Sequence, residues 1–172
     1  MHTSYMRPVA VIAAGLGIYM LAIPAANAAV SYKRTFLKAH GGSACYARHY
    51  SKAYLKNHPL LAFTDITILH NPESAGGNSA SMFRVRLTMT AKKDNQEFAA
   101  AAVCKTADKA FNCTVDSDNS GSFRLVPASG GLRVFTKRVY LEGSTRDVEV
   151  TSKGGKERSF TLSRASIGTC TD

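Results

Sequence analysis

The longest regular pattern in the chain runs from Phe83 to Lys92, where apolar and polar side chains alternate without a break. Apolar residues occupy the odd positions, and polar residues, including Arg84 and Arg86, occupy the even ones. Successive side chains of a strand point to opposite faces, so this segment predicts a strand with one buried and one solvated face. Such alternation is typical of antiparallel sheets that face water on one side.

Seven further segments have a period of two and are separated by turn sequences rich in Gly, Asn, Asp and Ser. The predicted strands are 61–69, 82–92, 97–105, 111–115, 122–127, 132–141, 147–152 and 158–164. The alternation slips at Lys137 and Arg138, so we expect the long strand to bend there. Eight short strands at this spacing predict a mainly β domain, an antiparallel meander closed as a barrel or a sandwich.

One amphipathic helix is expected ahead of these strands, from Ala44 to Asn57, with Ser43 as its N-cap and Pro59 behind its end. Tyrosines recur there every four residues, and so do basic residues, which places the two rows on nearly opposite sides of a helix. The rows are Tyr46, Tyr50 and Tyr54, and Arg48, Lys52 and Lys56. We expect the tyrosine row to pack on the sheet; a tyrosine-lined ligand site is the alternative.

The first 28 residues are typical of a bacterial signal peptide, with one cation at Arg7, an apolar run and a small-x-small motif at Ala26–Ala28. The alternative is an uncleaved membrane anchor, since the apolar run is nearly long enough to span a bilayer. Cleavage after Ala28 leaves 144 residues, which favours a single domain. We assign 1–28 to the signal peptide, 29–42 to an irregular segment and 43–172 to a disulfide-bonded β-rich domain.

All four cysteines follow the predicted leader. An even number of cysteines in an exported chain predicts disulfides. Cys104 and Cys113 flank a short loop between two predicted strands, where facing residues come close enough for a bridge. We therefore favour Cys104–Cys113 and Cys45–Cys170, which would make the cysteines structural rather than nucleophilic.

The segment that starts at Asp116 resembles the front half of a calcium-binding loop. Its candidate ligands are Asp116, Asp118, Ser120 and the carbonyl of Ser122, with Gly121 at the position of the sharp turn. The ninth position is Arg124 and the twelfth is Pro127, where the loop needs a ligand and a bidentate Glu. A hairpin turn explains the same residue types, so calcium is the weaker interpretation.

No spacing in the sequence points to a catalytic triad, a zinc site or a phosphate-binding glycine loop. We expect no cofactor, no catalytic residue and no specific nucleic-acid partner. A periplasmic hydrolase with a carboxylate or histidine in a cleft remains an alternative. A structural or stress-related envelope protein without a small ligand is a further one.

Charge supplies the leading functional hypothesis. The mature chain has 21 basic and 12 acidic side chains, a net charge of +9, which favours anionic partners. Arginines grouped on the wet face of a rigid sheet can bind phosphate or carboxylate bidentately. The candidates are Arg84, Arg86, Arg124, Arg133 and Lys137. We expect a non-enzymatic exported domain, in the periplasm or outside the cell, that binds an anionic envelope component or an acidic protein and touches membranes only peripherally. A merely solvated basic face is the alternative.

Overall fold

The computed structural model of the protein describes residues 35–36, 42–70, 72, 82–117, 120–151 and 158–171. In these ranges nine strands form one antiparallel sheet. They are β1 (Ala44–His49), β2 (Phe63–His70), β3 (Met82–Ala91), β4 (Glu97–Ala107), β5 (Ala110–Val115), β6 (Gly121–Ala128), β7 (Gly131–Gly143), β8 (Val148–Thr151) and β9 (Arg158–Ala165). Helix α1 covers Lys52–Asn57, and a 3₁₀ turn covers Ile167–Cys170.

Eight of the strands close into a barrel, and β8 is an extra strand. The order around the barrel is β6, β5, β4, β3, β2, β1, β9 and β7, and the pairing of β6 with β7 closes the ring. Closure removes the exposed edges that an open sheet would leave. The choice between barrel and sandwich, open at the level of the sequence, is thereby settled as a barrel.

Strand β7 is the longest strand and changes partners along its length. Its first half pairs with β9, and its second half, Arg138 to Leu141, pairs with β8. The register with β6 shifts where Ser122 faces Arg138 but Phe123 faces Thr136, so Lys137 is an extra residue. An extra residue of this kind is a β-bulge, which bends its strand. The register shift coincides with the broken alternation at Lys137 and Arg138, where the sequence predicts a bend.

The predicted helix over Ala44–Asn57 is wrong in its first half, because residues 44–49 form β1. This strand pairs with β2 on one side and β9 on the other. Two ladders of backbone hydrogen bonds outweigh the helical spacing of the tyrosines, since local propensity is a weak prior. Only Lys52–Asn57 is helical, with Ser51 rather than Ser43 as the N-cap.

The tyrosine row is consequently split between two kinds of structure. Tyr46 points into the barrel and is 3% exposed, whereas Tyr54 lies on α1 and is 38% exposed. Burial raises the pKa of Tyr46, and nearby Arg164 partly offsets that rise. Its hydroxyl donates a hydrogen bond to the carbonyl of Thr35 at 2.5 Å. Tyr46 thus packs in the barrel as part of β1, while Tyr54 is left near solvent.

One end of the barrel is filled by a residue that precedes β1. Phe36 is fully buried, and its ring packs against those of Tyr46, His70, Phe83 and Phe111 with centroid distances of 4.8–6.0 Å. Such aromatic pairs contribute about 0.5–1.5 kcal/mol each beyond the burial of their area. Phe36 therefore belongs to the barrel core, although it falls in the segment interpreted from sequence as irregular.

Two disulfides join Cys45 to Cys170 and Cys104 to Cys113, the pairing favoured from the sequence. Cys104 and Cys113 face each other across the β4–β5 hairpin. Cys170 brings the 3₁₀ turn onto β1. Disulfides of this kind are compatible with an oxidising compartment.

We predict that Gly121→Ala destabilises the protein far more than Gly130→Ala. Both glycines have positive φ, +86° and +73°, where a side chain costs about 1–2 kcal/mol. A Cβ at Gly121 would also lie 2.0 Å from the carbonyl oxygen of Arg138, whereas one at Gly130 meets nothing within 4 Å. Urea unfolding of the two variants measures the difference, and equal losses would contradict the close approach at Gly121.

We also predict unequal effects of the two disulfides on the free energy of unfolding. They span 125 and 9 residues, and in the loop-entropy account the longer loop contributes about 5 kcal/mol and the shorter about 3 kcal/mol. The double variant Cys45→Ala/Cys170→Ala should therefore lose more stability than Cys104→Ala/Cys113→Ala in denaturant titrations. The reverse order would show that strain or residual unfolded structure dominates.

Candidate functional site

The predicted basic residues lie in two separate groups on the outside of the barrel. Arg84 and Arg86 stand on β3, whereas Arg124 stands on β6 and Arg133 and Lys137 stand on β7. Strands β4 and β5 lie between β3 and β6, which separates the groups by about 14 Å around the sheet at about 4.8 Å per strand. The five side chains therefore do not form one continuous patch.

The two arginines of β3 are neutralised by acidic neighbours. Arg84 forms an ion pair with Asp116, and Arg86 lies 3.8 Å from the carboxylate of Glu97. Both pairs are exposed, so each contributes at most about 1 kcal/mol to stability. They also lower the net positive charge of this surface, because each carboxylate offsets the charge of the arginine beside it. An anionic partner is therefore attracted less strongly to β3.

Arg124 and Arg133 come together over a ring, that of Phe135. Their guanidinium carbons lie 5.0 and 5.9 Å from the ring centroid. Arg124 faces Phe135 directly across the β6–β7 ladder, and Arg133 precedes it by two residues on the same side of β7. We call these three residues the arginine–phenylalanine patch. Lys137 follows at the bulge and is exposed.

Phe135 is the residue of this patch that the sequence interpretation missed. The other phenylalanines of the predicted strands fall on apolar faces and are buried, among them Phe83, Phe98, Phe111, Phe123 and Phe160. Phe135 differs because it shares its position in the alternation with Arg133, while Leu132 and Val134 point inward. That shared parity is the signal that places an aromatic ring on the wet face.

Next to the bulge, Arg138 belongs to a local network rather than to the patch. It donates to the hydroxyl of Tyr140 and lies 3.1 Å from the carboxylate of Glu149. The Tyr140 hydroxyl and, after it, the charge of Glu149 raise the pKa of Arg138. This cation is thus compensated in the same way as those of β3.

A pocket of about 500 Å³ opens at the barrel end that carries α1. We call it the mouth pocket; it is lined by Tyr50, Tyr54, Asn57, His58, Pro59, Leu60, Leu61, Ser159 and Phe160. Tyr54 stacks with Tyr50 at 5.2 Å and with His58 at 3.9 Å between ring centroids. Burial raises the pKa of Tyr50, an effect that Arg48 partly offsets. The pocket is consistent with the alternative of a tyrosine-lined ligand site. Of its two tyrosines, Tyr54 lies in α1 and Tyr50 precedes it.

A second depression of about 420 Å³ lies on the outer surface beside β4. The start of β4 pairs with β7, and from Ala102 onward β4 pairs with β5 instead, so the depression lies where the partner strand changes. The alanines Ala99 to Ala101 line it, together with Arg86, Asp116, Tyr140 and Glu142. Its acidic residues Asp116 and Glu142 are exposed, and Asp116 is already paired with Arg84. The groove therefore holds carboxylates without the desolvation that acid–base catalysis usually employs.

The calcium interpretation finds little support in this region. The carboxylate of Asp116 binds Arg84, and the hydroxyl of Ser120 bonds that of Ser117 at 2.5 Å. Ser122 lies in β6, and Asp118 lies outside the described residues. Gly121 is required by the close approach of the Arg138 backbone, independently of any ion. Among the described residues, no cluster of three or more histidine, cysteine or carboxylate side chains is placed to hold a metal.

One histidine is desolvated, but it lies in the core rather than in a cleft. His70 is fully buried, and its Nδ1 lies 2.7 Å from the carbonyl oxygen of Arg84, to which it donates. Burial lowers the pKa of His70, and this hydrogen bond partly offsets the effect. Its surroundings are the rings of Phe36 and Phe83. This histidine serves packing, and the hydrolase alternative stays an untested prediction.

Comparisons with protein-family models, with curated proteins and with solved structures found no match for this chain. Within the described residues, no helix is both long and apolar enough to cross a bilayer.

The buried histidine predicts a specific pH dependence. A histidine whose folded pKa lies below its ordinary value of 6.5 stabilises the fold fully above that pH, and this contribution is lost as the pH falls below it. In His70→Asn, an amide can still donate to the Arg84 carbonyl but does not titrate. We expect urea unfolding to show a smaller loss of stability from pH 7.5 to pH 5 in this variant than in the wild type. An unchanged pH dependence would place its origin elsewhere.

Proposed function

We propose that the protein is a non-enzymatic binding domain that holds an anionic partner on the arginine–phenylalanine patch. The observation that carries this proposal is the convergence of Arg124 and Arg133 on the ring of Phe135. The partner is a polymer or surface that bears phosphate or carboxylate groups. The proposed site is smaller than the set of basic residues predicted from the sequence, because Arg84 and Arg86 lie outside it.

The geometry supports binding because it orders two long side chains in advance. A free arginine loses about 2 kcal/mol of rotamer entropy when it is fixed. Contact with an aromatic ring contributes about 0.5–1 kcal/mol at an exposed site, which offsets part of that loss before any ligand arrives. The planar guanidinium can still donate two parallel hydrogen bonds to a carboxylate or phosphate from its edge.

The distribution of acids also favours this face. Ion pairs engage Arg84, Arg86, Arg138 and Arg146 with carboxylates. Arg133 has no such carboxylate among the described residues, and its contact is the ring of Phe135. In a chain with a net positive charge, a cation such as Arg133 that has no carboxylate beside it among the described residues favours the approach of an anion.

The proposed location is the bacterial envelope or the exterior of the cell. The two disulfides are compatible with an oxidising environment, and the predicted leader at 1–28 is the independent argument from sequence. Envelope polymers and lipid surfaces commonly carry the phosphate and carboxylate groups that the patch would recognise. We therefore propose an anionic envelope component as the partner.

We predict that Arg124→Gln/Arg133→Gln weakens binding of polyphosphate roughly tenfold or more, about 1.4 kcal/mol, because both guanidinium groups that converge on Phe135 are removed. Phe135→Leu should give a smaller loss, since the charges remain but the ring that orders them does not. Calorimetric titration at fixed salt measures each affinity, because such binding depends strongly on ionic strength.

The matched control is Arg84→Gln/Arg86→Gln, which removes the same formal charge from β3. We expect it to weaken polyphosphate binding less, since Asp116 and Glu97 already compensate these arginines. Equal losses in the two double variants would indicate a general charge effect and contradict the patch. Titrations with an acidic polysaccharide and with vesicles of anionic lipid then distinguish the sources of the anion.

A further inference from the structure

We propose that the arginine–phenylalanine patch and the mouth pocket form one continuous site for an acidic saccharide. A sugar ring would occupy the pocket, and its carboxylate, or that of the next ring, would meet Arg124 and Arg133. This inference rests on the proposed function and adds the chemical class of the partner.

The strand register joins the two parts. Arg124 faces Phe135 across β6 and β7, and Phe135 faces Ser159 across β7 and β9, so the three residues form one row. Directly facing residues have Cβ atoms about 4.5–5.5 Å apart. Ser159 also lines the mouth pocket. One strand spacing therefore separates the ring that carries both guanidinium groups from the rim of the pocket.

The pocket lies beside β9 because β1 ends early. The pairing between these strands ends where Ala47 faces Ser163, so Ser159 lies beyond the part of β9 that β1 covers. The chain turns away at Tyr50 and forms α1 from Lys52 onward. The space between α1 and the start of β9 is the mouth pocket, a position where barrels commonly bind ligands.

The side chains of the pocket suit a hydroxyl-rich ring that also has an apolar face. Pro59, Leu61 and Phe160 provide apolar surface. The polar groups are the Tyr54 hydroxyl, the Asn57 amide, the Ser159 hydroxyl and the imidazole of His58. Nδ1 of His58 donates to the carbonyl of Tyr54 at 2.8 Å, so Nε2 is the nitrogen left as an acceptor for a ligand hydroxyl. A fatty chain would desolvate these polar groups without replacing their hydrogen bonds.

The aromatic rings argue against a nucleic acid as the occupant. Bases bind single-stranded sites by stacking on free ring faces. Here Tyr54 stacks with Tyr50 and His58, and the ring of Phe135 has two guanidinium groups against it. The site offers the polar edges of rings and guanidinium donors, which match the hydroxyl and carboxylate groups of an acidic sugar.

The test compares two anionic probes by calorimetry on the full-length mature chain. Oligogalacturonate carries both rings and carboxylates, whereas polyphosphate carries charge alone. Tyr54→Phe/Asn57→Ala removes two hydrogen-bonding groups and keeps the stacked ring. We expect this pocket variant to bind oligogalacturonate roughly fivefold or more weakly, since a hydrogen bond contributes about 1 kcal/mol. Its affinity for polyphosphate should stay unchanged, and the matched control Tyr140→Phe should bind both probes like the wild type.

The outcomes separate the two proposals. If the pocket variant binds oligogalacturonate as well as the wild type does, while Arg124→Gln/Arg133→Gln binds both probes weakly, the saccharide site is overturned and the proposed function stands. If the patch variant binds both probes normally, the proposed function fails and the saccharide site fails with it. Wild-type protein that binds an oligothymidylate of equal charge more tightly than oligogalacturonate, with a loss in the pocket variant, would assign the pocket to nucleic acid and overturn the saccharide.

Discussion

The structure depends on closing the sheet. Every strand of the barrel must find a partner on both sides, and the last gap lies between β2 and β9. Residues 44–49 fill it and become β1, although their tyrosines repeat with the spacing of a helix. The Cys45–Cys170 bridge then joins β1 to the turn that follows β9, so the strand that completes the ring is also linked covalently to the end of the fold.

Closure also determines where the surface is open to a ligand. Several outward cations have a carboxylate beside them, as in Arg84 with Asp116 and Arg138 with Glu149. Where β1 stops short of the full length of β9, the pairing leaves a recess that α1 borders. The row Arg124, Phe135 and Ser159 runs into this recess, which is why charge and cavity adjoin there.

Much of the fold is predictable from the sequence because half-buried strands reveal themselves by alternation. All eight predicted strands are present, and even the bulge at Lys137 shows as a slip in the pattern. β1 was not predicted, because its strand conformation depends on pairing with β2 and with β9, which is more than 100 residues away in the sequence. The same holds for the site: Asp116 neutralises Arg84 from 32 residues away, and only the register shows that Arg124 rather than Arg84 faces a ring. The alternation within β7 was sufficient to predict that Phe135 lies on the solvent-facing side, since it shares its phase with Arg133.

The position of Phe36 has a consequence for how the barrel forms. Its ring packs against those of Phe83 and Phe111. The carbonyl of the neighbouring Thr35 accepts a hydrogen bond from Arg164, which lies 129 residues further along the chain. Contacts between residues this far apart in sequence give a high contact order and slow folding. The chain loses the entropy of closing long loops before the contacts between their ends can stabilise it. The core cannot be completed until nearly the whole chain is available.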